Sequence, residues 1–290
     1  MKTVLVTGVN SYIGNKFRDY MKQFEADYLI DGISVRGDKW KKLDFSKYDC
    51  IFDVAGIAHA DTGHVTEEIK QRYYAVNTDL TIALAEKAKA EGVHQFIFMS
   101  SAIIYGDSAP IGKEKIITQD TLPSPSDFYG DSKLQAEKGI SQLDDSSFHV
   151  VILRPPMIYG KDSKGNYPVL SRMAQTLPAF PKINNCRSML YVGNLVEFVR
   201  LMIQNEESGI FFPQNAEYSN TSELVRMIAE AHGRKILLVD GTVWALKLLS
   251  GMTGLVNKAF GSLAYDRELS RYKENYCRYS LEESIRLTEG

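Results

Sequence analysis

Three side chains in this sequence are suited to proton chemistry by type and spacing: Ser101, Tyr129 and Lys133. Tyr129 and Lys133, in "FYGDSKLQAE", stand four residues apart, which puts both on one face of a helix. Ser100–Ser101 close the apolar run "FIFMSS", with Ser101 placed 28 residues before Tyr129. A phenol beside a lysine ammonium and a cationic nicotinamide has its acidity raised, so it can exchange a proton with a carbinol or carbonyl near neutral pH. A serine hydroxyl can hold the same oxygen. The spacing alone is not selective, because a chain with 16 tyrosines and a similar number of lysines contains about one Tyr-x-x-x-Lys by chance. Position adds the selectivity: the pair opens a helix after "TLPSPSD", and the serines end a strand, where open α/β sheets bind ligands. The competing reading is a surface ion pair with a helix cap.

Such a triple needs a sheet to hold it. Short apolar runs recur at Thr3–Thr7, Tyr28–Val35, Cys50–Ala55, Gln95–Ser100 and His149–Arg154, with helical stretches such as Thr78–Gly92 between them. This alternation predicts an α/β fold with a Rossmann-like, doubly wound parallel sheet. Past Arg154 the alternation fades into a proline-rich region. The expected division is a dinucleotide-binding domain over 1–155 plus roughly 188–210, and a smaller α/β substrate lobe over 156–187 and 211–290. Helices are expected over Asn194–Gly209 and Asn220–Gly233, the second capped by Asn220 or Thr221 and stopped by Gly233.

The first strand leads into "TGVNSYIG", a phosphate-binding turn in which Gly8 and Gly14 keep the first and third glycine positions and Ser11 occupies the middle one. The first glycine makes the tight turn and the last lets helix and strand pack closely. Ser11 is a small substitute whose hydroxyl can donate to a phosphate. The second strand ends in "ISVRGDKW", with Ser34 and Arg36 and no acid before Asp38. An acid there would bind the ribose hydroxyls of NAD, and a base accepts the 2′-phosphate of NADP. The expected cofactor is therefore NADP, with NAD as the alternative and a solvated arginine as the plain reading of Arg36. Asp44 either faces the adenine amino group or sits on a turn.

Taken in order, "TGVNSYIG", "DVAGIAH", "SSAIIYG", "YGDSKLQAE" and "LRPPMIYG", followed by "RSMLYVGNL" and "NTSELVRMIAEAHG", make the chain resemble an extended short-chain dehydrogenase/reductase of the NAD-dependent epimerase/dehydratase family. The resemblance runs almost end to end. It implies Ser101 as catalytic serine, Tyr129 as acid/base, and Lys133 as partner of the tyrosine and of the nicotinamide ribose. Asn10, Tyr12, Ile13, Ala55, Gly56, Asn77 and Pro155 complete the expected cofactor contacts. On the substrate side it implies Arg187 as a diphosphate clamp and Asn166 near the nucleotide–sugar end, with surface-ion-pair and turn readings as their alternatives. Met157 stands where many relatives carry an asparagine. Within the family, "RPPMIYG…GNY" is most similar to bacterial UDP-4-keto-6-deoxy-hexosamine reductases of surface-polysaccharide synthesis. The implied activity is reduction of the C4 keto group of a UDP-linked 6-deoxy-N-acetylhexosamine. The alternative is a UDP-hexose 4-epimerase with tightly held NAD. No acidic pair accompanies Ser101, which disfavours a dehydratase, and a non-catalytic dinucleotide sensor would have little use for the full triple. A homodimer through 78–92 and 129–143 is also implied.

The formal charge of −2 and pI near 6.2 give no basic excess for nucleic acid or anionic membrane. Cys50, Cys186 and Cys277 show no metal or disulfide spacing, and the start of the chain reads as a strand without a leader, so a reduced, cytoplasmic protein with no metal is expected. The apolar segment 242–263 is interrupted by lysines, glycines and an asparagine, which argues against a membrane span and for an amphipathic helix pair or a greasy rim beside a ligand.

Overall fold

In the computed structural model, residues 1–58, 65–241, 244 and 260–290 are described. Most of the apolar segment 242–263 therefore lies outside the described residues. The chain forms two units: one comprises Met1–Gly106, Pro123–Pro155 and Val196–Phe212, and the other Asp107–Leu122, Pro156–Leu195 and Pro213–Gly290.

The first unit is built on strands β1 (Lys2–Thr7), β2 (Tyr28–Ile33), β3 (Cys50–Asp53), β4 (Gln95–Met99), β5 (His149–Leu153) and β6 (Gly209–Phe211). They form one sheet in the order β2-β1-β3-β4-β5-β6, with every neighbouring pair parallel. β3 and β4 are buried at every position, as strands covered on both faces must be. The helices are α1 (Tyr12–Met21), α2 (Glu67–Tyr74), α3 (Leu80–Ala90), α4 (Phe128–Ser141) and, from Val196 on, α5 (Val192–Gln204). Leu84, Ala85 and Ala88 of α3 and Ala136 and Ile140 of α4 share a core with Leu5, Ile51, Phe96, Phe98 and Ile152 of the strands. Small residues on the helices let them approach closely, and Gly92, at φ +79°, ends α3 as its sequence position predicts. The strand order reverses between β1 and β3, the place where ligands of open sheets bind beyond the carboxyl ends.

Among the described residues the second unit has three two-stranded parallel ladders: Met157–Tyr159 with Met189–Tyr191, Ala179–Pro181 with Leu237–Val239, and Ile116–Ile117 with Ala264–Tyr265. Helices Asn166–Thr176, Thr221–Ala231 and Leu281–Glu289 contribute Tyr167, Leu170, Leu224, Ile228 and Ile285 to its core. Asn220 caps the middle helix, accepting from the amides of Ser222 and Glu223 at 2.9 and 3.2 Å. The division differs from the expected one at 107–122 and 188–195, which pack with the second unit. The cause for the former is pairing distant in sequence: Ile116–Ile117 joins Ala264–Tyr265, and Ala109 bridges Ser262. Among the described residues no helix is long and apolar enough to cross a membrane, no metal-ligating cluster occurs, and the three cysteines are unpaired.

Candidate active site

The turn after β1 depends on its two glycines. Gly8 has φ +70°, and a Cβ there would stand 3.1 Å from the Cα and N of Ala55 and 3.2 Å from the carbonyl of Val54. Both the conformation and the close approach of backbone to β3's end require glycine. A Cβ on Gly14 would meet Ser11 Oγ at 2.7 Å and the side chains of Val54 and Val6 at 3.1 and 3.2 Å, so this glycine sets the helix-to-strand distance. Ser11 is the N-cap of α1, its Oγ accepting from the Gly14 amide at 2.9 Å. An accepting hydroxyl keeps its proton for another acceptor, and a helix N-terminus favours an anion. The turn thus fits a dinucleotide phosphate, with Asn10 exposed and Tyr12 and Ile13 half-buried around it. Replacing Gly8 by Ala is expected to cost about 1–3 kcal/mol of stability, read as a lower urea midpoint.

The amide of Val9 donates to the carbonyl of Ile33 at 3.2 Å, so the turn is tied to the end of β2, from which Ser34 and Arg36 follow directly. Both are exposed, and the amide of Arg36 donates to Ser34 Oγ at 3.4 Å. Asp44 makes a local turn, its Oδ1 accepting from the amide and hydroxyl of Ser46 at 2.9 and 2.6 Å. Those bonds hold its carboxyl below the usual range. Of its two readings, the turn is the one these contacts support.

Beyond β3, Ala55 is buried and Gly56 exposed. A Cβ on Gly56 would lie 3.2 Å from Asn77 Oδ1 and 3.3 Å from Lys133 Nζ. Asn77 sits in a π-helical turn, Ala75–Asp79, between α2 and α3. Its Oδ1 accepts from the Ile57 amide at 2.8 Å, and its Nδ2 donates to the Ile57 carbonyl and to Ser132 Oγ, both at 3.1 Å. A one-residue widening of the helix re-aims this side chain. Asn77 thereby pins the segment after β3 to α4.

Ser101 follows β4 and caps a short 3-10 helix, Ala102–Tyr105, its Oγ accepting from the Ile103 amide at 3.3 Å. Asp127 caps α4, its Oδ1 accepting from the Gly130 amide at 2.7 Å. Tyr129 therefore lies in the first turn of α4, and the Ser101 hydroxyl is near enough to its phenol to act on its titration. Burial pushes that phenol up to about 12, the neighbouring Ser101 hydroxyl opposes the shift, and Asp127 and Tyr73 add to it. Lys133, one turn on, donates to the Met99 carbonyl at 2.9 Å and stands 4.6 Å from the centre of the Phe98 ring. Burial lowers its ammonium to about 8, against the raising fields of Asp53 and Glu137. The ammonium is directed at the Met99 carbonyl, and burial is the largest influence on the phenol. Pro155 closes the group, its carbonyl accepting from the Ala102 amide at 2.9 Å.

Two acids stand near this group, Glu137 and Asp53. Glu137, two turns beyond Tyr129, is buried and accepts from Arg154 Nη2 at 2.6 Å and Nε at 3.1 Å, and from the Ser100 hydroxyl. Arg154 also donates to the Tyr105 hydroxyl at 2.6 Å. The pair joins the ends of β4 and β5 to the helix that carries Tyr129 and Lys133. Asp53 is 1% exposed at the end of β3. Helical spacing from Tyr129 could have found Glu137, whereas Asp53 reads as one more residue of a buried strand.

The description of the NAD dependent epimerase/dehydratase family matches residues 4–212. This chain belongs to the NAD-dependent epimerase/dehydratase family. A UDP-glucose 4-epimerase of Vibrio cholerae is 30% identical over 298 residues, covering 94% of this chain and 89% of that relative. The fold is shared with a UDP-glucuronic acid 4-epimerase from Bacillus cereus in complex with NAD, at TM-score 0.72 and 18% identity over 99% of this chain and 95% of that one. It is also shared with a dTDP-4-dehydrorhamnose reductase from Bacillus anthracis in complex with NADP, at TM-score 0.70 and 16% identity, covering 99% of each chain.

In this epimerase/dehydratase-family chain the second unit carries the three expected substrate residues. Met157 is half-buried and opens the strand that pairs with Met189. Asn166 is exposed at the start of its helix, after Gly165 at φ +97°. Arg187 is held by backbone: its amide donates to the Ser219 carbonyl at 2.9 Å and its Nη1 to the Gly261 carbonyl at 3.0 Å. Burial lowers its pKa, and a guanidinium in such surroundings gains from an added anion.

Proposed function

We propose that this chain is an NADP-preferring nucleotide-sugar oxidoreductase that reduces the C4 keto group of a UDP-4-keto-6-deoxy-N-acetylhexosamine. The observation that carries this reading is the placement of Ser101, just past β4 at the carboxyl end of the sheet, with Tyr129 and Lys133 one turn apart on α4. Bound reduced nicotinamide supplies the hydride that forms the new C4–H bond. Tyr129 gives its phenolic proton to the C4 oxygen, so the keto group becomes a carbinol and a phenolate remains to be reprotonated from solvent. Ser101 holds the oxygen on its way from carbonyl to hydroxyl. Lys133, protonated, stabilises the phenolate and orients the ribose. Most of the rate gain in such a site comes from holding donor and acceptor in line. Ser11 and the α1 N-terminus are assigned the pyrophosphate, Arg36 the 2′-phosphate, and Arg187 the substrate diphosphate.

Arg36 favours the reductase, since a coenzyme spent at each turnover is supplied in cells as NADPH. Arg36→Ala is expected to weaken NADPH binding about 10- to 100-fold, the loss of a charge-assisted contact, with NADH binding changed less than about threefold. The 30% identity to a UDP-glucose 4-epimerase over nearly the whole chain favours a second reading, 4-epimerisation with retained NAD. The two separate in one experiment: cofactor-stripped protein is mixed with the keto sugar and excess NADPH. Stoichiometric loss of the reduced nicotinamide's absorbance supports the reductase. No loss, together with interconversion of UDP-glucose and UDP-galactose or their N-acetyl forms by protein purified with NAD, supports the epimerase.

A further inference from the structure

We propose that Asp53 is a positioning residue of this site, its buried carboxylate serving as the counter-charge that keeps Lys133 protonated beside Tyr129; this rests on the oxidoreductase reading above. Asp53 receives hydrogen bonds from the Thr7 hydroxyl, from the Ala55 amide at 3.2 Å and from the Thr81 hydroxyl at 3.1 Å. All three donors are neutral. A carboxylate this buried is costly unless a cation lies close by, and burial accordingly raises its pKa while Lys133 opposes the rise. The sheet register explains the proximity. Asp53 on β3 is paired with Phe98 on β4, and the Lys133 ammonium stands over the Phe98 ring while bonding the carbonyl of Met99.

The charged groups whose fields act on Lys133 are Asp53 from β3 and Glu137 from its own helix. Glu137 is held by Arg154 through its guanidinium, so its charge is largely matched. Asp53 is left as the acid whose charge Lys133 balances. The same carboxylate also fixes Thr7, which immediately precedes Gly8, and Ala55, which contacts Gly8. One side chain therefore ties the phosphate turn, the segment after β3 and the lysine together.

Asp53→Asn removes the charge and keeps the size. The Lys133 titration would be followed directly by ¹³Cε-lysine nuclear magnetic resonance, with the signal assigned by its absence from Lys133→Arg. The expected result is a midpoint about one pH unit lower in Asp53→Asn. Activity at pH 8.5 is then expected to fall about tenfold, while activity at pH 6 stays within about threefold of the parent. An unmoved Lys133 midpoint, or a loss of activity equal at both pH values, would overturn the proposal. The resonance readout needs no substrate, so absence of reductase activity in the parent protein sinks the functional reading and leaves this one standing. If Asp53→Asn does not fold, Lys133→Met provides the complementary measurement. Without the ammonium the Asp53 pKa rises further, the folded state binds more protons than the unfolded, and stability relative to the parent falls as pH increases from 5 to 7. Parallel stability curves would overturn the proposal.

Discussion

Tyr129→Phe is expected to lower turnover by about 10²- to 10⁴-fold, the range for a positioned general acid, with NADPH affinity within about threefold of the parent and an unchanged melting transition. The phenol is the group on α4 that can deliver a proton to the substrate oxygen, and its removal leaves the aromatic packing against Tyr73, at a centroid distance of 6.1 Å, in place. The Ser101 hydroxyl keeps its bond from the Ile103 amide. Steady-state kinetics, coenzyme titration and thermal unfolding on the same preparation test this together. Turnover within about threefold of the parent would remove Tyr129 from the chemistry, and the function would have to be sought in binding alone. Ser101→Ala is expected to show a smaller loss, because it positions the oxygen without supplying the proton.

The second large effect concerns stability. Arg154 and Glu137 form an ion pair whose side chains are 9% and 4% exposed, and Glu137 accepts from Ser100 as well. Removing one partner leaves a buried, unmatched charge, so Glu137→Ala or Arg154→Ala is expected to cost about 3–5 kcal/mol. Replacing both by apolar residues of similar volume, Glu137→Leu with Arg154→Met, is expected to recover most of that loss. Urea unfolding of the two single variants and the double variant gives the coupling. Losses that simply add would show that the pair's hydrogen bonds, and not its matched charges, hold α4 against the ends of β4 and β5. The exposed pair Lys22 and Asp19, with side chains 75% and 67% exposed, is expected to contribute little, because water and salt screen it.

Much of this protein was fixed by local sequence. The strands at Lys2–Thr7, Gln95–Met99 and His149–Leu153 are short β-branched and aromatic runs bounded by turn residues, and burial of their middles on both faces is what makes those middles apolar. Gly8, Gly14, Gly92 and Asn220 act where they stand, through backbone conformation and caps that depend on near neighbours. Tyr129 and Lys133 were legible because helical spacing converts a four-residue interval into a shared face. Other features were decided only by tertiary structure. Residues 107–122 pack with the second unit because Ile116–Ile117 pairs with a strand at Ala264–Tyr265, a partner set by the path of the chain and not by local pattern. The brace that Asn77 forms between Ile57 and Ser132 depends on a π-helical turn that aims its side chain. Asp53 and Glu137 lie inside the motifs "DVAGIAH" and "YGDSKLQAE", but their electrostatic role is not written in them. A carboxylate's effect on a lysine depends on the water excluded around both and on which strands lie side by side, and these arise only when the sheet has formed and the helices have closed over it.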